Sequence, residues 1–456
     1  MKYRRSRLSS VVLLGLVAGL ACSAVQTAPA GTPAGSPQAA EGVPTGAAPA
    51  ASPLTPPSVG AHESGRYRNL FVEVGLPAAG VEQKVTAAYQ QLFHGSPEQR
   101  VMFGAGQNER GPLAYIHDVG NDDVRSEGMS YGMMIAVQLD QKRDFDALWN
   151  WSKTYMQVTK EGHPARGYFA WKLQRDGRVS DEMPAPDGEE YFATALLFAA
   201  HRWGNGQGIF DYAREALQLL DELKNKKPTA GVVKGEQTTC VALFNPEHKM
   251  VRFTPNAANF VTNGDHTDPS YHLPAFYELW AKWGPEADRA FWAEAAQVSR
   301  DHFVKAAHPE TALTPDFSNF DGSPKPVSWD GKTVNFRYDA WRTAMNWAVD
   351  YAWWAKDVRQ VELSNRLLRF FASQGPRYGS NYELVGKATN TDHSEGLIAT
   401  NAVAALAASE PVARAFVEEL YALPVPSGKW RYYDGMLFMF GLLHTSGHFR
   451  IYAPGQ

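Results

Sequence analysis

Glu190-Tyr191-Phe192-Ala193-Thr194-Ala195-Leu196-Leu197-Phe198-Ala199 carries its apolar residues at helical spacing and holds no glycine or proline. Such a pattern reads as a helix rather than a strand. Thr343-Ala344-Met345-Asn346-Trp347-Ala348-Val349-Asp350-Tyr351 repeats it. Extended from about Tyr67 to the end, the same reading places helices beginning near Gly80, Gly128, Asp144, Gly188, Ile209, Ser270, Glu286, Asp339, Asp357, Ser394, Pro411 and Lys429. Val/Ile-rich strand runs flanked by turn pairs are scarce, and no βαβ alternation is present, which disfavours α/β folds. The stretches 243–267 and 311–337 are polar, aromatic and proline-bearing. Loops of that length in a compact domain are usually functional or partly strand-forming. The expected fold is all-α, an (α/α)6 barrel of about twelve helices whose wide end forms a groove.

The chain has 456 residues, with 44 Lys and Arg against 48 Asp and Glu, a formal net charge of -4. That balance argues against neutralising phosphates along a nucleic acid. A polymer of neutral sugars or a small molecule is the better partner. Two cysteines, Cys22 and Cys240, exclude a disulfide scaffold and a cysteine-rich metal site. Aromatic residues make up 12% of the chain. Some belong to the core, and a surplus along a groove would suit stacking on sugar rings.

The N-terminus reads as an address. Lys2, Arg4, Arg5 and Arg7 precede an apolar run, Val11 to Ala21, too short to span a bilayer. Residues 1–22 are read as a signal peptide. The run ends Ala18-Gly19-Leu20-Ala21-Cys22, so two readings stand: lipidation of Cys22 as a membrane anchor, or ordinary cleavage beside an incidental cysteine. Either makes the protein exported. Residues 23–62 are read as a linker; from Gln26 to Gly60 the only charge is Glu41, among eight prolines. The folded domain is expected over 63–456, as a monomer.

No HExxH, Walker loop, GxGxxG or paired CxxC occurs. Gly128-Met129-Ser130-Tyr131-Gly132 fits the G-x-S-x-G nucleophile elbow. The residues before it, Asn121 to Glu127, are too polar for the central strand that motif requires. The carboxylates say more. Glu127 stands just before a helix in apolar surroundings, where an acid's pKa can rise enough to donate a proton. First-turn dipole stabilisation is the plainer alternative. Asp187 can cap the following helix, with Glu190 completing a capping box. Asp268-Pro269 is a good N-cap and N1 pair. Asp339 and Arg342 lie three residues apart on one face, flanked by Phe336, Tyr338 and Trp341. Two carboxylates facing each other across an aromatic groove would suit acid/base glycoside cleavage.

The stretches Asp123 to Met134, Ala185 to Thr194 and Tyr338 to Arg342 resemble glycoside hydrolase family 8, and the likeness extends from about Arg66 onward. The resemblance implies an (α/α)6 barrel and an inverting mechanism without metal or cofactor. It implies Glu127 as general acid, Asp339 as general base, and Asp187 as the acid that binds the sugar at the cleavage subsite. Tyr271 resembles the tyrosine that orients the attacking water, Arg342 would bond the base, and Trp171 resembles a stacking platform. For Trp171 and Tyr271 core packing is the alternative. The motifs are most similar to those of xylan-active members, acting on xylan internally or releasing xylose from reducing ends of xylo-oligosaccharides. Members of the latter kind close the groove with a loop bearing His, and His393 in Asn390 to Gly396 lies near that place. The reading leans toward reducing-end release. A non-catalytic sugar-binding lipoprotein on the same scaffold is the rival from another class.

Overall fold

The structure, a computed structural model, describes residues 53–455. The signal-peptide and lipid-anchor readings of 1–22, Cys22 included, and the linker as far as 52 lie outside the described residues. Where the expected linker enters them it is already docked on the domain. Leu54 and Ala61 are buried, and His62 stacks on Trp354 with ring centroids 4.3 Å apart.

Among the described residues, twelve helices have ten residues or more: α1 Ala78–His94, α2 Ser126–Gln138, α3 Lys142–Trp151, α4 Pro186–Trp203, α5 Tyr212–Asn225, α6 Pro274–Trp283, α7 Arg289–Ala306, α8 Trp341–Trp354, α9 Arg359–Ser373, α10 Glu395–Ala404, α11 Ala413–Ala422 and α12 Arg431–Thr445. Each begins within four residues of its expected start. The even-numbered helices form an inner ring. α2 packs on α4, α6 on α8, α8 on α10, α10 on α12, and α12 closes the ring on α2. Tyr277 Oη to Glu190 (3.1 Å) and Trp280 Nε1 to Thr194 Oγ1 (3.0 Å) join α4 to α6. Each odd-numbered helix packs outside against an inner neighbour. The chain is an (α/α)6 barrel.

Sequence separates the two rings. In α2 and α12 nearly every residue is buried, as a helix apolar on all sides must be. In α5 the buried residues are Tyr212, Glu215, Ala216, Leu219, Leu220 and Leu223, one stripe at helical spacing.

The segments leading into the inner helices lie at one end and carry all the strands of the described residues. These are the antiparallel pair Met102–Asn108 with Gly111–Ile116, the three short strands Val124–Arg125, Lys172–Leu173 and Val179–Asp181, the pair Thr229–Val233 with Glu236–Cys240, and Phe244–Asn245 with Met250–Val251. The last pair makes 243–267 the partly strand-forming loop expected. The first hairpin escapes sequence reading because Phe103-Gly104-Ala105-Gly106-Gln107 has no β-branched residue and its register shifts between Gly104 and Gln107.

Candidate active site

Starts of the inner helices are tied together by side chains at this end. Arg342, in the first turn of α8, is the hub, with only 2% of its side chain exposed. Its Nη1 contacts Glu127 Oε2 at 2.9 Å, Asp187 Oδ2 at 2.7 Å and Tyr131 Oη at 2.6 Å. Its Nη2 donates to Ser270 Oγ at 3.0 Å and to Asp339 Oδ1 at 3.1 Å. From α12, Tyr432 Oη donates to Glu127 Oε1 at 2.8 Å. Beside it, Ser394 at the start of α10 donates to Asp434 of α12 at 2.7 Å.

Two glycines permit this convergence. A Cβ on Gly128 would lie 2.6 Å from the Tyr432 ring, and one on Gly188 would lie 2.6 Å from Ser126 Oγ. With neither present, Tyr432 reaches past α2 to Glu127, and the ends of α2 and α4 touch.

Because Glu127 and Asp339 hold opposite prongs of one planar guanidinium, their bonded oxygens, at 2.9 Å and 3.1 Å from it, are at most about 8 Å apart. Burial pushes the Glu127 carboxyl up to about 7, with Asp187 and Asp339 adding to the rise and Arg342 opposing it. Burial likewise raises Asp187. Arg342 is bonded to all three carboxyls, and Arg125 adds a further positive charge near Glu127, yet burial still makes ionising all three together costly. Burial thus holds up both Glu127 and Asp187, whereas 37% of the Asp339 side chain is open to solvent.

Two expectations need correction. Asp187 does not cap α4: the N-cap is Ala185, Pro186 takes N1, and no capping box forms. Pro fits N1 because that position needs no N–H, which moves the helix start ahead of Asp187. Asp187 Oδ1 then accepts from the Gly188 amide at 2.9 Å, and Oδ2 is left for Arg342. Glu127 lies inside α2 rather than before it.

Asp268 does act as a cap, but of the 3₁₀ turn Pro269–Tyr271, accepting from the Ser270 amide at 2.7 Å. Its other oxygen is buried with no hydrogen-bond partner among the described residues, and burial raises its pKa well above the usual range. A two-residue strand does precede Gly128-Met129-Ser130-Tyr131-Gly132, but Ser130 lies within α2 and donates to Glu127 O at 3.0 Å. That leaves no nucleophile elbow.

Tyr271 is buried, with the Arg342 guanidinium 5.8 Å from its ring centroid. Trp171 is half-buried beside the start of α2, where its carbonyl accepts from the Ser126 amide at 3.0 Å and Arg125 lies 5.7 Å from its ring. His393 stands apart from the Arg342 cluster: Nδ1 pairs with Tyr378 O at 2.9 Å and Nε2 with Glu419 at 3.0 Å. Ser394 caps α10. The residue before Asp339, Tyr338, has φ of 23° and receives Tyr433 Oη on its carbonyl at 3.0 Å.

The model of glycosyl hydrolases family 8 matches residues 115–447. The chain belongs to glycosyl hydrolase family 8. This family 8 glycosidase is 42% identical over 395 residues to the reducing-end xylose-releasing exo-oligoxylanase Rex8A of Paenibacillus barcinonensis, covering 86% of this chain and 98% of that one. It is 37% identical to the reducing end xylose-releasing exo-oligoxylanase of Bifidobacterium adolescentis, over 84% of this chain and 96% of that one. Among solved structures, a xylobiose complex of a family 8 protein from Teredinibacter turnerae is 52% identical, with a TM-score of 0.85, covering 87% of this chain and all of that one.

Sequence reading of the family 8 chain missed Tyr432, Tyr131 and Ser270 as parts of the site. Tyr131 lies four residues from Glu127 on α2, a local signal that was available. Tyr432 is 305 residues from Glu127, and nothing local marks it.

Proposed function

We propose that the protein hydrolyses β-1,4-xylosidic bonds of xylo-oligosaccharides with inversion, releasing xylose from the reducing end. One observation carries the reading: Arg342 gathers Glu127, Asp187 and Asp339 on a single guanidinium at the mouth of the barrel. Glu127, protonated near neutral pH, donates its proton to the departing glycosidic oxygen. Asp339 takes a proton from the water that attacks the anomeric carbon from the opposite face. Water's remaining hydroxyl becomes the new anomeric hydroxyl, and Tyr271 lines that side. Asp187, held between Arg342 and the Gly188 amide, is placed to bond the sugar being cleaved. The names of the relatives supply the sugar. Location outside the cytoplasm, from residues 1–22, belongs to the same proposal.

A second reading, internal cleavage of xylan, has one observation in its favour. Both ring nitrogens of His393 are engaged by Tyr378 and Glu419, so neither is left to bond a sugar at a closed groove end.

Xylohexaose followed by NMR and chromatography tests both. Xylose plus xylopentaose as first products, the new end in the α form, is the expected result. Early xylobiose, xylotriose and xylotetraose would replace reducing-end release by internal cleavage. A β anomer as first product would remove the inverting pair.

A further inference from the structure

An aromatic path leads from Arg342 away from the catalytic carboxyls. Tyr271 stacks parallel to Phe253, centroids 6.1 Å apart with planes 5° from each other. Phe253 packs on Phe317 at 4.3 Å and on His266 at 5.2 Å. Trp329 follows, 6.2 Å from Phe253 with its plane 31° away. Unlike the rings behind it, Trp329 is 55% exposed.

The turn that bears Trp329 is tightly held. The Ser328 amide donates to Asn263 Oδ1 at 2.8 Å, and the Lys332 amide to Asp330 Oδ1 at 2.8 Å. Thr333 Oγ1 donates to Lys325 O at 2.7 Å. Asp330 Oδ2 pairs with Arg337 Nη2 at 2.9 Å, and the same nitrogen reaches Asp316 at 2.6 Å. Arg337 is two residues from Asp339, so the turn and the base share one anchor.

A large indole fixed in water loses the benefit of burial. It also presents a flat apolar face at little further entropic cost, because its backbone is already ordered. Continuity with Tyr271 and Arg342 points to the sugar chain that the site is proposed to bind, rather than to a separate partner. A neutral pyranose, with apolar C–H faces and a polar edge, suits an aromatic face without any charged group.

We propose that Trp329 is a distal sugar platform, stacking on a residue of the β-1,4-linked chain beyond those that Glu127 and Asp339 flank. The platform rests on the reading of the site as a xylo-oligosaccharide cleft. It makes Trp329 a determinant of chain-length preference, acting on kcat/KM for long chains.

The test compares wild type, Trp329→Ala and Trp329→Tyr on xylotriose through xylohexaose. For Trp329→Ala the ratio of kcat/KM on xylohexaose to that on xylotriose should fall about two- to tenfold, the range of one aromatic contact. Trp329→Tyr, which keeps a ring, should recover part of the ratio. A wild-type ratio in Trp329→Ala, or equal losses at every length, would overturn the platform alone. A wild type inactive on every xylo-oligosaccharide would overturn the xylosidic reading and the platform with it.

Discussion

Gly188 lies against Ser126 with no room for a side chain: a Cβ there would fall 2.6 Å from Ser126 Oγ and 2.7 Å from its Cβ. Ser126 and Gly188 precede and follow the two acids that meet at Arg342. The contact between these helix ends therefore sets the distance between Glu127 and Asp187. Gly188→Ala should move them apart without removing either carboxyl group. We expect kcat to fall about tenfold to a hundredfold, since small misplacements at a reacting centre cost that much. Wild-type kcat in this variant would show that the helix contact does not position the site.

Glu127→Gln keeps the size of the side chain and its bond from Tyr432 but removes the transferable proton. On unactivated xylo-oligosaccharides kcat should drop by roughly 10²–10⁴-fold. An aryl glycoside whose leaving group departs unaided should suffer much less. Equal losses on both substrates would take Glu127 out of the acid's role.

In the proposed mechanism Glu127 must carry its proton, so activity should decline as pH rises through its pKa, near 7. Asp187 is among the groups that raise that pKa. Asp187→Asn, which removes its negative charge, should shift the alkaline limb of the kcat/KM profile to lower pH. A limb that stays in place, whatever the loss of rate, would mean that another group controls it.

Arg342→Lys should be harmful to stability as well as activity. A lysine is a single point of charge and cannot hold Glu127, Asp187 and Asp339 on a planar fork. With the fork's hydrogen bonds to buried groups lost but the charge kept, unfolding free energy should fall by about 1–3 kcal/mol, measured by urea denaturation. A fall under about 1 kcal/mol, within the range of exposed pairs, would show that the cluster does not depend on the fork.

The sequence was most informative where the chemistry is local. Apolar residues at helical spacing located the twelve long helices, and Asp339 with Arg342 formed the expected i,i+3 contact because both lie in one helical turn. Glu127 and Asp187 stood out because their neighbours are small, apolar or capping residues. The meeting of these acids was not visible, since it depends on ring closure between helices far apart in the chain. Tyr432 joins Glu127 only because α12 closes against α2. Asp187 misled in the other direction: its sequence fits an N-cap, but Pro186 moves the helix start and frees the carboxyl for Arg342. The first hairpin was hidden by its glycines and the two-residue strands by their length, whereas Thr229–Val233 and Glu236–Cys240, joined by Lys234-Gly235, carried a hairpin signal that went unread.

Tyr338 has a φ of 23°, a conformation that glycine adopts freely and tyrosine does not. A residue held this way typically costs of the order of 1–3 kcal/mol. The neighbour thereby aimed is Asp339, and Tyr433 secures the bend through the Tyr338 carbonyl. Stability and turnover pull against each other at this position. Glycine at 338 would relax the backbone and let the turn wander, so screens for heat resistance alone would favour variants that cleave slowly.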